Sequence, residues 1–99
     1  MYRNKFPEID LISYILASEN SPDKVKNFII EMLTVSELET LSKRWQILEM
    51  LAAGRTQRDI AEELKVSLCK VTRGAHILKN KNSSVYRYLK KEQKNEFKI

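Results

Sequence analysis

The 99 residues hold only two glycines, two prolines, one cysteine and one histidine. So little Gly and Pro argues against a turn-rich β fold and for helices. A single cysteine excludes an internal disulfide, and a reducing cytoplasm is its simplest setting. No apolar run reaches the roughly 20 residues that a membrane span requires, so no membrane partner is expected. The opening Met1-Tyr2-Arg3-Asn4-Lys5-Phe6-Pro7 lacks the apolar stretch of a secretory signal. His76 stands without a second ligand pattern, and no metal site is expected. There is also no Gly-rich phosphate loop and no nucleophile paired with a base, so the chain does not read as an enzyme.

What the chain does have is charge, unevenly placed. Its net charge is +5. Residues 1–54 carry six Lys/Arg against eight Asp/Glu, or −2, whereas residues 55–99 carry twelve against five, or +7. A basic second half fits a polyanion such as nucleic acid. The same charge would also serve as a solvated surface.

Apolar periodicity and capping signals predict six helices and no strand, an all-α fold. The first helix covers about 8–18, with Ile9, Ile12, Ile15 and Leu16 on one side. Ser21 is a good N-cap and Pro22 suits the first position of a second helix running to about residue 33. Thr34-Val35-Ser36-Glu37 is a capping box, since hydroxyl and carboxylate can each satisfy an orphan backbone N–H. It opens a long third helix to about Ala53. There Leu38, Leu41, Trp45, Leu48 and Ala52 form one stripe, widened by Ile47, Met50 and Leu51. That apolar surface exceeds what one short helix pair covers. Gly54 terminates it. Thr56-Gln57-Arg58-Asp59 reads as a second capping box. Lys65-Val66 is a turn, Ser67 caps a fifth helix over 68–79, and Ser84 caps a last one before a charged tail from residue 90.

Residues 56–79 have helix-turn-helix spacing. Ile60, Leu64, Val66 and Val71 sit where two short helices must pack across a tight turn, and Ala61 is small at the crossing. The turn position that usually holds Gly with φ > 0 is Lys65, at a cost of roughly 1 kcal/mol. The crossing frees the outer face of the fifth helix for a DNA major groove. That face offers Ser67, Cys69, Lys70, Arg73 and His76, with Arg58 outward on the preceding helix.

Leu33-Thr34, Arg44, Gly54, Thr56-Gln57-Arg58-Asp59-Ile60, Val71-Thr72-Arg73-Gly74 and Leu78-Lys79, at this spacing, resemble the tryptophan (trp operon) repressor family. The resemblance covers about residues 32–89. Its most specific part is Thr-Arg-Gly followed by Leu-Lys at the right distance from Gln-Arg. One residue fewer separates Gly54 from Gln57 than in the best-known member. The resemblance implies an intertwined, all-helical homodimer with a helix-turn-helix reading head in each subunit. Such a repressor binds a double-stranded DNA operator of two-fold symmetry. Within the single domain, residues 1–54 would be the helical dimerisation core. Residues 55–80 would be the helix-turn-helix, and 81–99 the C-terminal helix and tail.

The resemblance also implies roles. Arg58 would contact a base or phosphate, and Leu68, Cys69, Lys70 and Thr72 would lie at or beside base edges. Gln57 and Lys79 would serve phosphates. The family's corepressor, L-tryptophan, lies between two arginines, matched here by Arg44 and Arg73, with Thr34 and Gly74 nearby. A guanidinium plane over an indole attracts it by stacking and cation–π interaction, and the ligand carboxylate pairs with a guanidinium. Two positions depart from the family. Ile77 stands where a serine hydroxyl meets the ligand's amino group, and Glu31 stands in an apolar wall, where its carboxylate could compensate an ammonium. Control by tryptophan or a related small ligand is therefore one reading. Arg44 in a structural ion pair with Glu37 or Glu49 is the other.

Two further functional readings stay open. Sigma-factor region 4 and response-regulator output domains share the Leu-Thr to Val pattern, but their glycine follows Leu-Thr by about fourteen residues. Here Gly54 lies 21 residues after Leu33. A helical protein-interaction module with a basic face is the reading from another class. Cys69 reads as a small residue facing DNA, with a redox switch as the alternative. Trp45 reads as a core or dimer residue, and Tyr86 and Tyr88 as packing residues.

Overall fold

The computed structural model describes residues 5–93, and in these it is all-α. The helices are α1 (Pro7–Ser18), α2 (Pro22–Met32), α3 (Val35–Ala52), α4 (Gln57–Leu64), α5 (Leu68–Lys79) and α6 (Ser84–Gln93). Their number and order are those the periodicity predicts, with ends shifted by a residue. None is long and apolar enough to cross a membrane among the described residues. The charged tail lies mostly outside them.

The chain forms two compact units, Met1–Leu38 and Glu39–Ile99. In the first, local signals set the helices. Pro7 and Pro22 occupy first-turn positions, where their missing N–H costs nothing. The Ser21 hydroxyl accepts the Lys24 N–H at 3.4 Å. The capping box at the start of α3 is reciprocal. Glu37 N–H donates to Thr34 Oγ1 at 3.1 Å, and Thr34 N–H donates to Glu37 Oε1 at 2.9 Å. No described residue of this unit is buried.

The second unit holds the core. Ile47, Ile60 and Val71 are buried together, with Met50, Leu51, Ala61, Leu64 and Val66 packed on them. Leu48 and Leu89 are also buried. Fully burying side chains such as Ile60 and Val71 stabilises by about 1.5–3 kcal/mol each. Two chain reversals bring these residues together. At the end of α3, Arg55 N–H reaches Met50 O and Gly54 N–H reaches Leu51 O. This pair of bonds needs a left-handed residue, and Gly54 has φ +91°. At the end of α4 the left-handed residue is Lys65 (φ 54°, ψ 48°), and Val66 N–H returns to Ala61 O. Lys65 thus adopts the conformation expected of a glycine.

One cap differs from expectation. The hydroxyl at the start of α6 is that of Ser83, which accepts the Tyr86 N–H at 2.9 Å, while Ser84 is the first helical residue. Either serine satisfies the sequence rule. The polar turn ahead of α6, held by Asn80 Oδ1 and the Asn82 N–H, sets which one does.

Candidate nucleic-acid interface

The geometry of the second unit is set where α4 meets α5. Thr56 Oγ1 accepts the Asp59 N–H and Ser67 Oγ accepts the Lys70 N–H, so both helices begin on a side-chain cap. Three residues, Lys65 to Ser67, join them. Ile60 and Val71, both with no exposed surface, fix how the helices cross. Thr72 Oγ1 donates to Gln57 Oε1 at 2.8 Å and ties α5 to the start of α4. The Arg55–Glu63 ion pair, 2.7 Å long, clips the preceding loop onto α4.

Burying Val71 and Gly74 turns the rest of α5 outward. Ser67, Leu68, Cys69, Lys70, Arg73, His76 and Lys79 are exposed, and so is Arg58 on α4. Leu68 leaves 48% of its surface free. The segment 67–79 contains no acidic residue, so every formal charge along α5 is positive. Gln57 and Thr72 differ from the other predicted contact residues. Both are half-buried and bonded to each other. Their first role is to lock the two helices, and the Gln57 amide N–H groups remain as donors.

A cleft of about 300 Å³ lies behind this face. Its α3 wall includes Arg44, Trp45 and Leu48, its α5 wall Lys70, Arg73, Gly74 and Ile77, and α6 adds Val85. Three of the four residues suggested for ligand binding, Arg44, Arg73 and Gly74, therefore line one cavity. The fourth is Thr34. It belongs to the first unit, where its hydroxyl and N–H are both spent on the capping box.

Gly74 has a further reason to be glycine. A Cβ there would lie 3.1 Å from Ile47 Cγ2 and 3.2 Å from Leu51 Cδ1. Its missing side chain lets α5 approach α3. Trp45, expected in a core or dimer surface, lines the cleft and is 36% exposed in the single chain. Lys70, expected at DNA, lines it too. The stripe spacing of Leu41, Trp45 and Leu48 was the available signal, and it marks a shared face without saying what covers that face.

Neither structural ion pair suggested for Arg44 forms among the described residues. Glu37 is occupied by the capping box. The Glu49 carboxyl shares a hydrogen bond with Glu92 of α6, and this bond, burial and the Glu92 charge raise its pKa against the opposing Trp45 bond. Gln93 Nε2 donates to Ala52 O at 2.9 Å and holds the same end of α6 to α3. On α6 itself, Lys90 sits 5.7 Å from the Tyr86 ring centre and Lys91 5.4 Å from that of Tyr88. The tyrosines thus also carry cations.

Residues 8–93 match the family model described as Trp repressor protein. A Trp operon repressor homolog of Xylella fastidiosa (strain M23) is 38% identical over 74 residues, covering 74% of this chain and 80% of that protein. A Trp operon repressor homolog of Chlamydia caviae is 34% identical over 71 residues, covering 71% and 70%. One from Chlamydia trachomatis serovar D is 38% identical over 61 residues, covering 61% and 65%. No solved structure matches.

Proposed function

Because the chain belongs to the Trp repressor family of DNA-binding helix-turn-helix regulators, we propose that it is a cytoplasmic, homodimeric transcriptional repressor whose α5 reads the major groove of an operator. The observation that carries this reading is the acid-free, exposed face of α5, held rigid against α4 by Ile60 and Val71. Leu68, Cys69 and Lys70, at the start of α5, meet base edges, since recognition helices present their N-terminal residues to the groove. Arg58 reaches a base or phosphate from α4. Lys79, Ser67 and the Gln57 amide serve phosphates, which fix register without reading sequence. Thr72 holds Gln57 in place and lies beside the bases.

Dimerisation is supported by the first unit. Helices of 11–12 residues are marginal alone, and here Ile9, Leu11, Tyr14 and Met32 stay more than half exposed. A second copy is the cover this reading assigns them, with residues 1–54 as the dimerisation core. On this reading the cleft beside α5 takes tryptophan or a related small ligand, which would act on the reading helix through Arg73 and Gly74.

Selection of bound sites from a random duplex pool tests the proposal. The expected product is a two-fold symmetric site with half-site centres about 34–36 Å apart, one turn of DNA or a multiple of it. Binding should weaken steeply between low and moderate salt, as phosphate contacts require. An unenriched pool, or an enriched site without symmetry, would overturn it.

A further inference from the structure

The recognition face of α5 uses only part of the positive charge around it. From Leu64 through Lys91 the chain has eight Lys/Arg and no Asp/Glu, and all eight are exposed. Lys70, Arg73 and Lys79 belong to α5. Lys81, Arg87, Lys90 and Lys91 follow it, in the turn and on α6. The register of α6 sets which way they face. Leu89 is buried, and Val85, Tyr86 and Glu92, three or four residues away, are half-buried. Ser84, Arg87, Tyr88 and Lys91 share the opposite side and are exposed. Glu92, the first acid after the run, bonds to Glu49 on the inner side and is turned away from this outer stripe.

The stripe is also held in place. Arg87 lies 5.8 Å and Lys91 5.4 Å from the ring centre of Tyr88, which is 46% exposed. A cation resting on an aromatic face gives up less side-chain freedom when it meets an anion. Lysine is disfavoured at the core of a protein interface, so the stripe suits a polyanion better than a second copy of the chain. Its position favours DNA backbone over bases. With the first residues of α5 in the groove, Lys79 lies about 16 Å further along the axis, at ~1.5 Å per residue. That exceeds the ~8.5 Å depth of the groove, so the chain beyond Lys79 meets phosphates rather than bases. The ten residues of α6, about 15 Å of helix, match several of the phosphates that each strand places every ~3.4 Å. An operator held by α5 brings its own flanks to this surface, whereas an acidic protein must arrive separately. We propose that the outer stripe of α6, with Lys81 ahead of it, holds the phosphodiester backbone of duplex DNA outside the half-site that α5 reads. This deepens the reading of the chain as an operator-binding repressor, and rests on it.

Fluorescence anisotropy on the full chain tests it, with the selected operator in two lengths. One duplex is trimmed to the selected site, and the other carries about ten arbitrary base pairs, one helical turn, on each side. The long duplex should bind more tightly at low salt, whatever the sequence of its flanks. The double variant Arg87→Gln, Lys91→Gln changes two exposed side chains and spares Leu89, so its melting temperature should stay that of the wild type. It should bind the long duplex at least about tenfold more weakly at low salt, and lower the slope of log affinity against log salt by about 1.8, or two phosphates. Its affinity for the trimmed duplex should not change. Equal wild-type affinity for the two lengths, or a variant that keeps the advantage of the long one, would overturn the proposal. A variant that weakens both lengths alike would also overturn it, by placing the stripe on the half-site. Unchanged affinity for every duplex together with lost binding of poly-L-glutamate would assign the stripe to an acidic protein instead. If no site is selected at all, the repressor reading falls, and an arbitrary duplex at low salt still tests the stripe. Weaker binding in the double variant would keep it as a phosphate surface, and equal binding would remove it.

Discussion

The two compact units use the same helical alphabet to different ends. Among the described residues, all five buried apolar side chains, Ile47, Leu48, Ile60, Val71 and Leu89, lie in the second unit. The described part of residues 1–38 contains none, yet Tyr14 is 77% exposed and Leu11 62%. Both units use side-chain caps, at Ser21 and Thr34 in the first and at Thr56, Ser67 and Ser83 in the second. Capping satisfies backbone groups at helix ends and stabilises by about 1 kcal/mol each, but it does not remove apolar surface from water. The second unit completes its own core, and the first leaves its apolar side chains largely exposed. On the proposed dimer reading, the contrast separates residues whose replacement would destroy the fold from residues whose replacement would destroy the assembly.

The largest expected effect tests the second unit. Val71→Asp buries an unpaired charge among Ile47 and Ile60, and should cost more than ~4 kcal/mol. Circular dichroism should show the melting transition collapse. A wild-type melting temperature would show that Val71 does not hold α4 and α5 together. The matching change in the first unit is Leu11→Asp. Its effect should appear in mass rather than in helix content, with light scattering moving from dimer toward monomer. A Leu11→Asp protein that remains dimeric would mean that another surface joins the subunits.

The next effect concerns the face that the second unit's core holds outward. Lys70→Ala or Arg58→Ala should weaken binding to a selected operator by ~1–3 kcal/mol for a base contact. A phosphate contact would instead lower affinity for all duplexes alike and reduce the salt slope. Unchanged affinity in both variants would place the DNA on another face. Lys70 also lines the cleft, so its replacement should alter ligand binding as well, whereas Arg58→Ala should not.

Much of this was legible in the sequence, and its limits follow the same division. Helices were readable because their ends are written locally, in Thr34/Glu37, Ser21/Pro22, Thr56 and Gly54. The α4–α5 crossing was readable because Ile60, Val66 and Val71 have one spacing that packs all three together, with Ile60 and Val71 buried and Val66 partly so. Lys65 was expected in a conformation few non-glycine residues adopt, and φ 54° agrees. What could not be read is which partner each apolar stripe meets. Trp45 and Leu48 share one stripe of α3, yet Leu48 is buried while Trp45 faces a cleft. The bond between Thr72 and Gln57 joins residues fifteen apart, and no periodicity encodes it. Gly74 stands within the Thr-Arg-Gly motif, while its tight approach to Ile47 and Leu51 appears only in three dimensions.

Lys65 offers a smaller, cleaner test. A left-handed lysine is strained by roughly 1–2 kcal/mol relative to glycine, and glycine returns part of this by making the unfolded chain more flexible. Lys65→Gly should therefore stabilise the second unit by ~0.5–1 kcal/mol in a denaturant melt, with operator specificity unchanged. Destabilisation would mean that the lysine side chain contributes more than its backbone costs.

The smallest effect lies where α6 meets α3. The Glu49 carboxyl is held above its ordinary pKa, chiefly by the hydrogen bond it shares with Glu92, then by burial and the Glu92 charge. A carboxyl whose folded pKa is raised adds stability that is fully present below its unfolded pKa and is lost as pH rises through the folded value. The α6 contact is thus firmest under acid conditions and loosens toward neutral pH, leaving the Gln93–Ala52 bond to hold that end. Glu49→Gln keeps a donor for Glu92 and removes the titration. It should raise stability near pH 7 by a few tenths of a kcal/mol, the scale of partly exposed charge interactions. At about pH 4 the difference from wild type should vanish. A stabilisation equal at both pH values would show that the gain comes from packing, and that Glu49 and Glu92 do not share a proton across the α3–α6 contact.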